Sequence, residues 1–127
     1  MIRLSRMADY GVVVMTYMAW RHHETNTAHR VAEGTGLSEA TVGKLLKVFA
    51  REGLLESHRG VNGGYEMSRK PEDVSVAEIV EAVEGPIALT LCVDEHTGSC
   101  DVESLCPMRG GWNQINTALR EAFEGVS

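Results

Sequence analysis

This 127-residue chain has no apolar stretch that reads as a membrane span, few cysteines and no familiar nucleotide-binding loop, and each absence narrows what it does. The apolar run near the amino terminus, Gly11 to Trp20, is ten residues long, against the ~20 a membrane helix requires. It follows Asp9, ends at Arg21-His22-His23 and offers no small-residue cleavage site, so it reads as a buried helix rather than a span or an export signal. Three cysteines are too few, and odd in number, for a disulfide scaffold, which points to a reducing cytoplasmic setting, and the short apolar run leaves no membrane partner expected. Gly60, Gly63 and Gly64 miss both the dinucleotide-binding spacing and the lysine-bearing phosphate loop. No activated nucleophile beside a base and no paired carboxylates in a plausible pocket are recognisable, so an enzyme is not expected. There is no internal repeat.

The cysteines that are present lie close together. Cys92, Cys100 and Cys106 are separated by seven and five residues within a polar stretch that includes Asp94-Glu95-His96 and Asp101-Val102-Glu103, too poor in apolar surface to enclose a thiol as core. Thiolates in such a setting suit a metal centre. Structural zinc sites show two closely spaced ligand pairs, which this chain lacks, although His96 offers zinc a fourth ligand. An iron-sulfur cluster fits the thiolates but needs a fourth ligand from elsewhere. A metal-free switch, in which the same thiols form a reversible disulfide, is the remaining alternative.

The formal charge of -6 argues against a nucleic-acid partner until its distribution is considered. Residues 1–70 carry 10 Lys/Arg and 7 Asp/Glu, whereas residues 71–127 carry 2 and 11. Only the first part is suited to phosphate.

That part reads as a helix-turn-helix with a wing. Ser5 caps a helix to about His22 whose apolar residues cover nearly its whole circumference, which leaves Asp9 an oddly placed acid. A second helix spans Thr27 to Glu33 and ends in the turn Gly34-Thr35-Gly36-Leu37. Ser38 caps a third, in which Val42, Leu45, Leu46, Phe49 and Ala50 form the inner stripe and Ala40, Thr41, Gly43, Lys44, Lys47 and Arg51 the outer face. Small and basic residues on that face are how a recognition helix meets the major groove. Two short strands, Leu54–Arg59 and Tyr65–Ser68, flank a glycine-rich turn and form the wing. Ser75 and Glu78 make a capping box for a helix that stops at Gly85-Pro86. A last helix starts at Pro107, with Met108, Trp112, Ile115, Leu119, Ala122 and Val126 as a narrow seam for pairing with a second copy of the chain.

The fold expected is mainly α with a small β-hairpin wing. Residues 1–84 form a winged helix-turn-helix, 85–107 a cysteine loop and 108–127 a dimerisation helix. The DNA-contacting candidates are Ser38, Ala40, Thr41, Gly43, Lys44 and Lys47, with Arg59, Asn62, Gly63 and Gly64 of the wing.

The opening Met1-Ile2-Arg3-Leu4-Ser5-Arg6-Met7-Ala8-Asp9-Tyr10, the turn and helix through Ser38, the wing Arg59-Gly60-Val61-Asn62-Gly63-Gly64-Tyr65 and the three cysteines resemble the winged-helix iron-sulfur transcriptional regulators of the IscR, NsrR and RirA kind, most of all those of the SUF iron-sulfur assembly operon. The resemblance spans essentially the whole chain. It implies a homodimeric cytoplasmic repressor on a double-stranded DNA operator, with a cluster held by Cys92, Cys100 and Cys106 that reports on iron, cluster supply, oxygen or nitric oxide. One branch of the family takes a histidine three residues after the last cysteine as fourth ligand; here Arg109 stands there and cannot ligate metal. Another branch takes a carboxylate from the partner's first helix, and Asp9 matches that position; Asp94, Glu95, His96, Asp101 and Glu103 are local competitors for the same role. The cluster so implied is 4Fe-4S, with 2Fe-2S as its product. Gly43 departs from members that carry a long polar side chain there, so their base preference does not transfer.

Overall fold

The computed structural model describes residues 2–90, 93, 106–108 and 110–127. Each helix of the amino-terminal part begins at a side chain that satisfies an otherwise orphaned backbone N–H. Ser5 Oγ accepts from Ala8 N–H to start α1 (Arg6–Trp20), and Thr27 Oγ1 accepts from Arg30 N–H to start α2 (Ala28–Thr35). Ser38 Oγ accepts from Thr41 N–H to start α3 (Glu39–Arg51). α2 runs two residues beyond the expected Glu33, so Gly34 lies inside the helix rather than in the turn. Its lack of a side chain is required there, because a Cβ would stand 2.2 Å from the Tyr17 ring. Gly36, at φ 79°, ends the helix in the left-handed conformation that glycine adopts at least cost.

The strands β1 (Leu55–His58) and β2 (Gly64–Met67) pair antiparallel, Leu55 opposite Met67 and Glu56 opposite Glu66. Alternation turns Leu55, Tyr65 and Met67 to the core. A short bridge fastens the hairpin to the helix-turn-helix: Asn26, between α1 and α2, donates its N–H to Tyr65 O and accepts from Tyr65 N–H, both at 2.8 Å. Gly64 sits against that bridge with φ 144°, where a Cβ would meet Asn26 O at 2.6 Å. After a single 3-10 turn at Pro71–Asp73, the capping box of Ser75 and Glu78 opens α4 (Val76–Glu84). Burial works to raise the Glu78 pKa, but hydrogen bonds from Ser75 and the neighbouring Arg69 guanidinium outweigh it and hold the carboxyl below 4.5.

The core is one cluster. Val14 and Met18 of α1, Val31 of α2, Val42, Leu45, Leu46 and Phe49 of α3, and Leu54, Leu55, Val74 and Ile79 pack together with almost no exposure. The first helix is not buried on nearly all sides as its composition suggests. Asp9, Val13, Thr16 and Trp20 recur at helical spacing along one open face, with Trp20 80% exposed.

The last helix, α5 (Gly111–Glu124), begins four residues later than Pro107, because Gly110 at φ 89° interrupts the turn that Pro107 and Met108 begin. It lies antiparallel along α4. Near its start Asn116 donates to Ile87 O and accepts from Leu89 N–H, both at 2.9 Å, and beyond its end Val126 O accepts from Val76 N–H at 2.8 Å. Arg120 pairs with Glu81 at 3.2 Å between them. None of its residues is fully buried. Among the described residues no helix is long and apolar enough to cross a membrane.

Candidate nucleic-acid interface and cysteine site

α3 presents to solvent the face opposite its core stripe. Ser38, Ala40, Lys44 and Lys47 are exposed, and Thr41 and Gly43 are half-exposed beside them. The Ser38 hydroxyl also donates to Thr41 Oγ1 at 2.8 Å, which fixes the first turn of the helix. Among the described residues Lys44 and Lys47 have no ion pair. Both ammonium groups therefore remain free for phosphate, at no cost in broken internal contacts. A Cβ at Gly43 would meet nothing within 4 Å and its backbone is ordinary helix, so neither packing nor strain calls for glycine there. Its effect is to clear room in the middle of the face for close approach of another surface.

The wing projects Arg59, Val61 and Asn62 into solvent, with Val61 fully exposed at the tip. Arg59 likewise has no ion pair among the described residues. Gly63 and Gly64 are accounted for by the turn itself, since a Cβ at Gly63 would stand 2.6 Å from His58 O. Their contribution to an interface is therefore a slim backbone profile rather than a chosen contact.

Two histidines, one in α2 and one in the wing, make specific contacts. His29 of α2 reaches Glu39 in the first turn of α3 at 3.3 Å through Nδ1 and Glu33 at 3.1 Å through Nε2. It ties together the two helices of the helix-turn-helix. The hydrogen bond to Glu39 and the charges of Glu33 and Glu39 raise its pKa above 6.5. His58 of β1 contacts Glu66 of β2 at 2.6 Å. Neither contact was legible in the sequence: one joins residues ten apart across a turn, the other depends on strand register.

Of the cysteine site, Cys106 is described and is a half-buried free thiol at the turn that leads into α5. Cys92 and Cys100 lie outside the described residues, as do His96, Arg109 and the local acids Asp94, Glu95, Asp101 and Glu103. Asp9 stands in the first turn of α1, exposed; its backbone N–H bonds Ser5 O, and its carboxylate has no hydrogen bond or ion pair among the described residues. The helix dipole favours its charge there. Its carboxylate is uncommitted within its own chain, on the same open face as Val13, Thr16 and Trp20.

Comparison with known proteins agrees with this arrangement. The family model described as Rrf2, iron-dependent transcriptional regulator, matches residues 4–127. The HTH-type transcriptional regulator NsrR of Shouchella clausii is 24% identical over 97% of this chain and 83% of its own length. Among solved structures, that of CymR, the global cysteine regulator of B. subtilis, superposes with a TM-score of 0.75 at 26% identity, over 99% of this chain and 92% of that one. IscR of T. potens gives 0.75 at 25% identity, over 98% and 82%. With the winged helix-turn-helix and its open basic face already described, the match over nearly the full sequence means that this chain belongs to the Rrf2 family of DNA-binding transcriptional regulators and is not an enzyme.

Proposed function

We propose that this regulator is a cytoplasmic homodimer that represses genes of iron-sulfur cluster assembly, or of the iron, redox or nitric-oxide response, according to whether Cys92, Cys100 and Cys106 hold an iron-sulfur cluster. The observation that carries the DNA half of the reading is the uncommitted Lys44 and Lys47 on the open face of α3. Ser38, Ala40, Thr41 and Gly43 face the major groove beside them, and Arg59 with Asn62, Gly63 and Gly64 of the wing approaches the adjacent minor groove. Residues 1–84 do this work, residues 85–107 hold the sensor and residues 108–127 join the two copies.

Dimerisation is supported by α5. Trp112, Leu119 and Phe123 are half-buried on its own chain, whereas Met108, Ile115, Ala122 and Val126 remain exposed. The seam expected for pairing is thus divided: one part packs on α4, and the other is free to meet a second copy. A dimer places two recognition helices about one DNA turn apart, ~34 Å.

For the sensor, the donor chemistry fits an iron-sulfur cluster: Cys106 is a free thiol with partial access to solvent, and Asp9 is a carboxylate with no internal partner. Cys92, Cys100 and Cys106 would hold a 4Fe-4S cluster, with 2Fe-2S as its product, and Asp9 of the partner subunit would supply the fourth ligand. When bound, the cluster supplies reactivity toward oxidants or nitric oxide at one weakly held iron. The chain's own contribution is positional. Cys106 stands at the turn that leads into α5, so tethering it would fix where α5 starts against α4, and Asp9 would tie α1 of one copy to the cysteine loop of the other. Release of those tethers shifts the population between two dimer geometries.

A second reading uses the same thiols without metal. It is favoured by the likeness to CymR, whose Staphylococcus aureus relative is known in an oxidised form. Anaerobic purification with an absorption spectrum and iron and sulfide counts separates the two. Brown protein whose spectrum changes on replacing any cysteine or Asp9 by alanine supports the cluster. Colourless protein with three titratable thiols, which takes up no iron on reconstitution, replaces it with the thiol switch.

A further inference from the structure

The wing carries a group of side chains with no part in the core and no part in the sensor. Glu56 and His58 are two residues apart on β1, so both project from the same face of the hairpin, and Glu66 on β2 stands directly opposite Glu56. One ligand atom from each of the three lies within 4.8 Å of the others. The opposite face of the hairpin is committed to the core through Leu55, Tyr65 and Met67, so backbone pairing and core packing together hold these three side chains in register on the outside.

Two carboxylates placed directly across a β-ladder repel one another. His58 relieves part of that repulsion through its 2.6 Å contact with Glu66 Oε1, but one imidazole answers at most one of the two carboxylates. A dication supplies both charges needed. We propose that Glu56, His58 and Glu66 form a binding site for a first-row transition-metal dication of the zinc type on the outer face of the wing.

The donor set decides the class of ion. Imidazole nitrogen selects zinc, nickel, copper or iron over magnesium and calcium, and two carboxylates complete a three-ligand set compatible with tetrahedral zinc. Ligand atoms sharing such an ion lie about 3.4 Å apart for bonds of ~2.1 Å, so the exposed Glu56 and His58 and the half-exposed Glu66 need only small rotamer adjustments to close around it. On binding, the metal takes the Nε2 lone pair of the neutral imidazole, and the single ring proton is carried on Nδ1. Three protein ligands leave a fourth position open to water or to a phosphate oxygen. Neutralising Glu56 and Glu66 also removes negative charge from the hairpin that carries Arg59. Metal binding stands on the hairpin geometry alone, whereas its effect on DNA rests on the proposed docking of the wing.

The test uses the tag-free full chain titrated with zinc chloride by calorimetry, because the cysteines also bind zinc and must be counted separately. One equivalent is expected to persist in the C92S/C100S/C106S chain and to weaken at least about tenfold in that background with H58N or E66Q. Circular dichroism melts confirm that each variant is folded. Fluorescence anisotropy with a DNA duplex then reads the consequence: zinc tightens binding of the cysteine-free chain and leaves that of the H58N form unchanged. Zinc uptake unaffected by H58N, E56Q and E66Q, or absent from the cysteine-free chain, overturns the site. Uptake lost in those variants without any effect of zinc on DNA affinity upholds the site and overturns the docking of the wing.

Discussion

α3 and α5 are nearly equal in length, 13 and 14 residues, yet they are finished in different ways. α3 buries Val42, Leu45, Leu46 and Phe49 completely and leaves only polar and small residues outside. α5 buries nothing fully and leaves Ile115 43% exposed, with Met108 just before it at 39% and Val126 just after it at 54%. The first helix has all the apolar contact it needs from its own chain, so its outer face is free to specialise in charge. The second has less than it needs, and an apolar surface left over on a helix is a site for another molecule. Core packing and open surface are cleanly separated on α3 and overlap on α5.

The sharpest way to break this comparison is to remove apolar side chains from each helix in turn. Phe49→Ala on α3 is expected to cost about 3–5 kcal/mol of stability in urea unfolding, enough to unfold a marginal domain. Ile115→Glu on α5 is expected to leave the unfolding free energy of the monomer within about 1 kcal/mol while shifting the proposed dimer to monomer in sedimentation equilibrium. A large loss of monomer stability with the dimer intact would mean that Ile115 serves its own chain and that the division of labour drawn here is wrong.

Smaller effects sharpen the outer face of α3. Lys44→Ala and Lys47→Ala are each expected to weaken binding to specific and random duplexes alike and to lower the salt slope by about one. Arg59→Ala should in addition alter sequence preference; equal losses on both kinds of DNA would remove its role in readout. At the start of α4, Ser75→Ala should cost about 1 kcal/mol by uncapping the helix. Because the Glu78 carboxyl titrates below 4.5 in the folded chain, its stabilisation is present above the unfolded value and is lost as the pH falls through the folded one.

The smallest expected effect lies at the join of α2 and α3. The pKa of His29 is raised above 6.5 in the folded chain, so its stabilising contribution is complete below about 6.5 and fades as the pH rises through the raised value. His29→Gln should flatten the change in unfolding midpoint between about pH 6 and 8, and a histidine NMR titration reads the same shift directly.

Local rules on one chain fixed much of this molecule in advance. Ser5, Ser38 and Ser75 announce helix starts because a hydroxyl satisfies a backbone N–H three residues away, and that chemistry needs no tertiary context. The stripe from Val42 to Phe49 and the two strands of the wing follow from periodicity in the same way. Composition misread α1, because it reports how apolar a helix is and not which side its neighbours leave bare; only packing opened the face from Asp9 to Trp20. Gly34 looked like a turn residue until Tyr17 stood against it. The grouping of Glu56, His58 and Glu66, and the tie from His29 to Glu39, were invisible because both depend on strand register or on the angle between helices, which arise only when distant parts of the chain share a core.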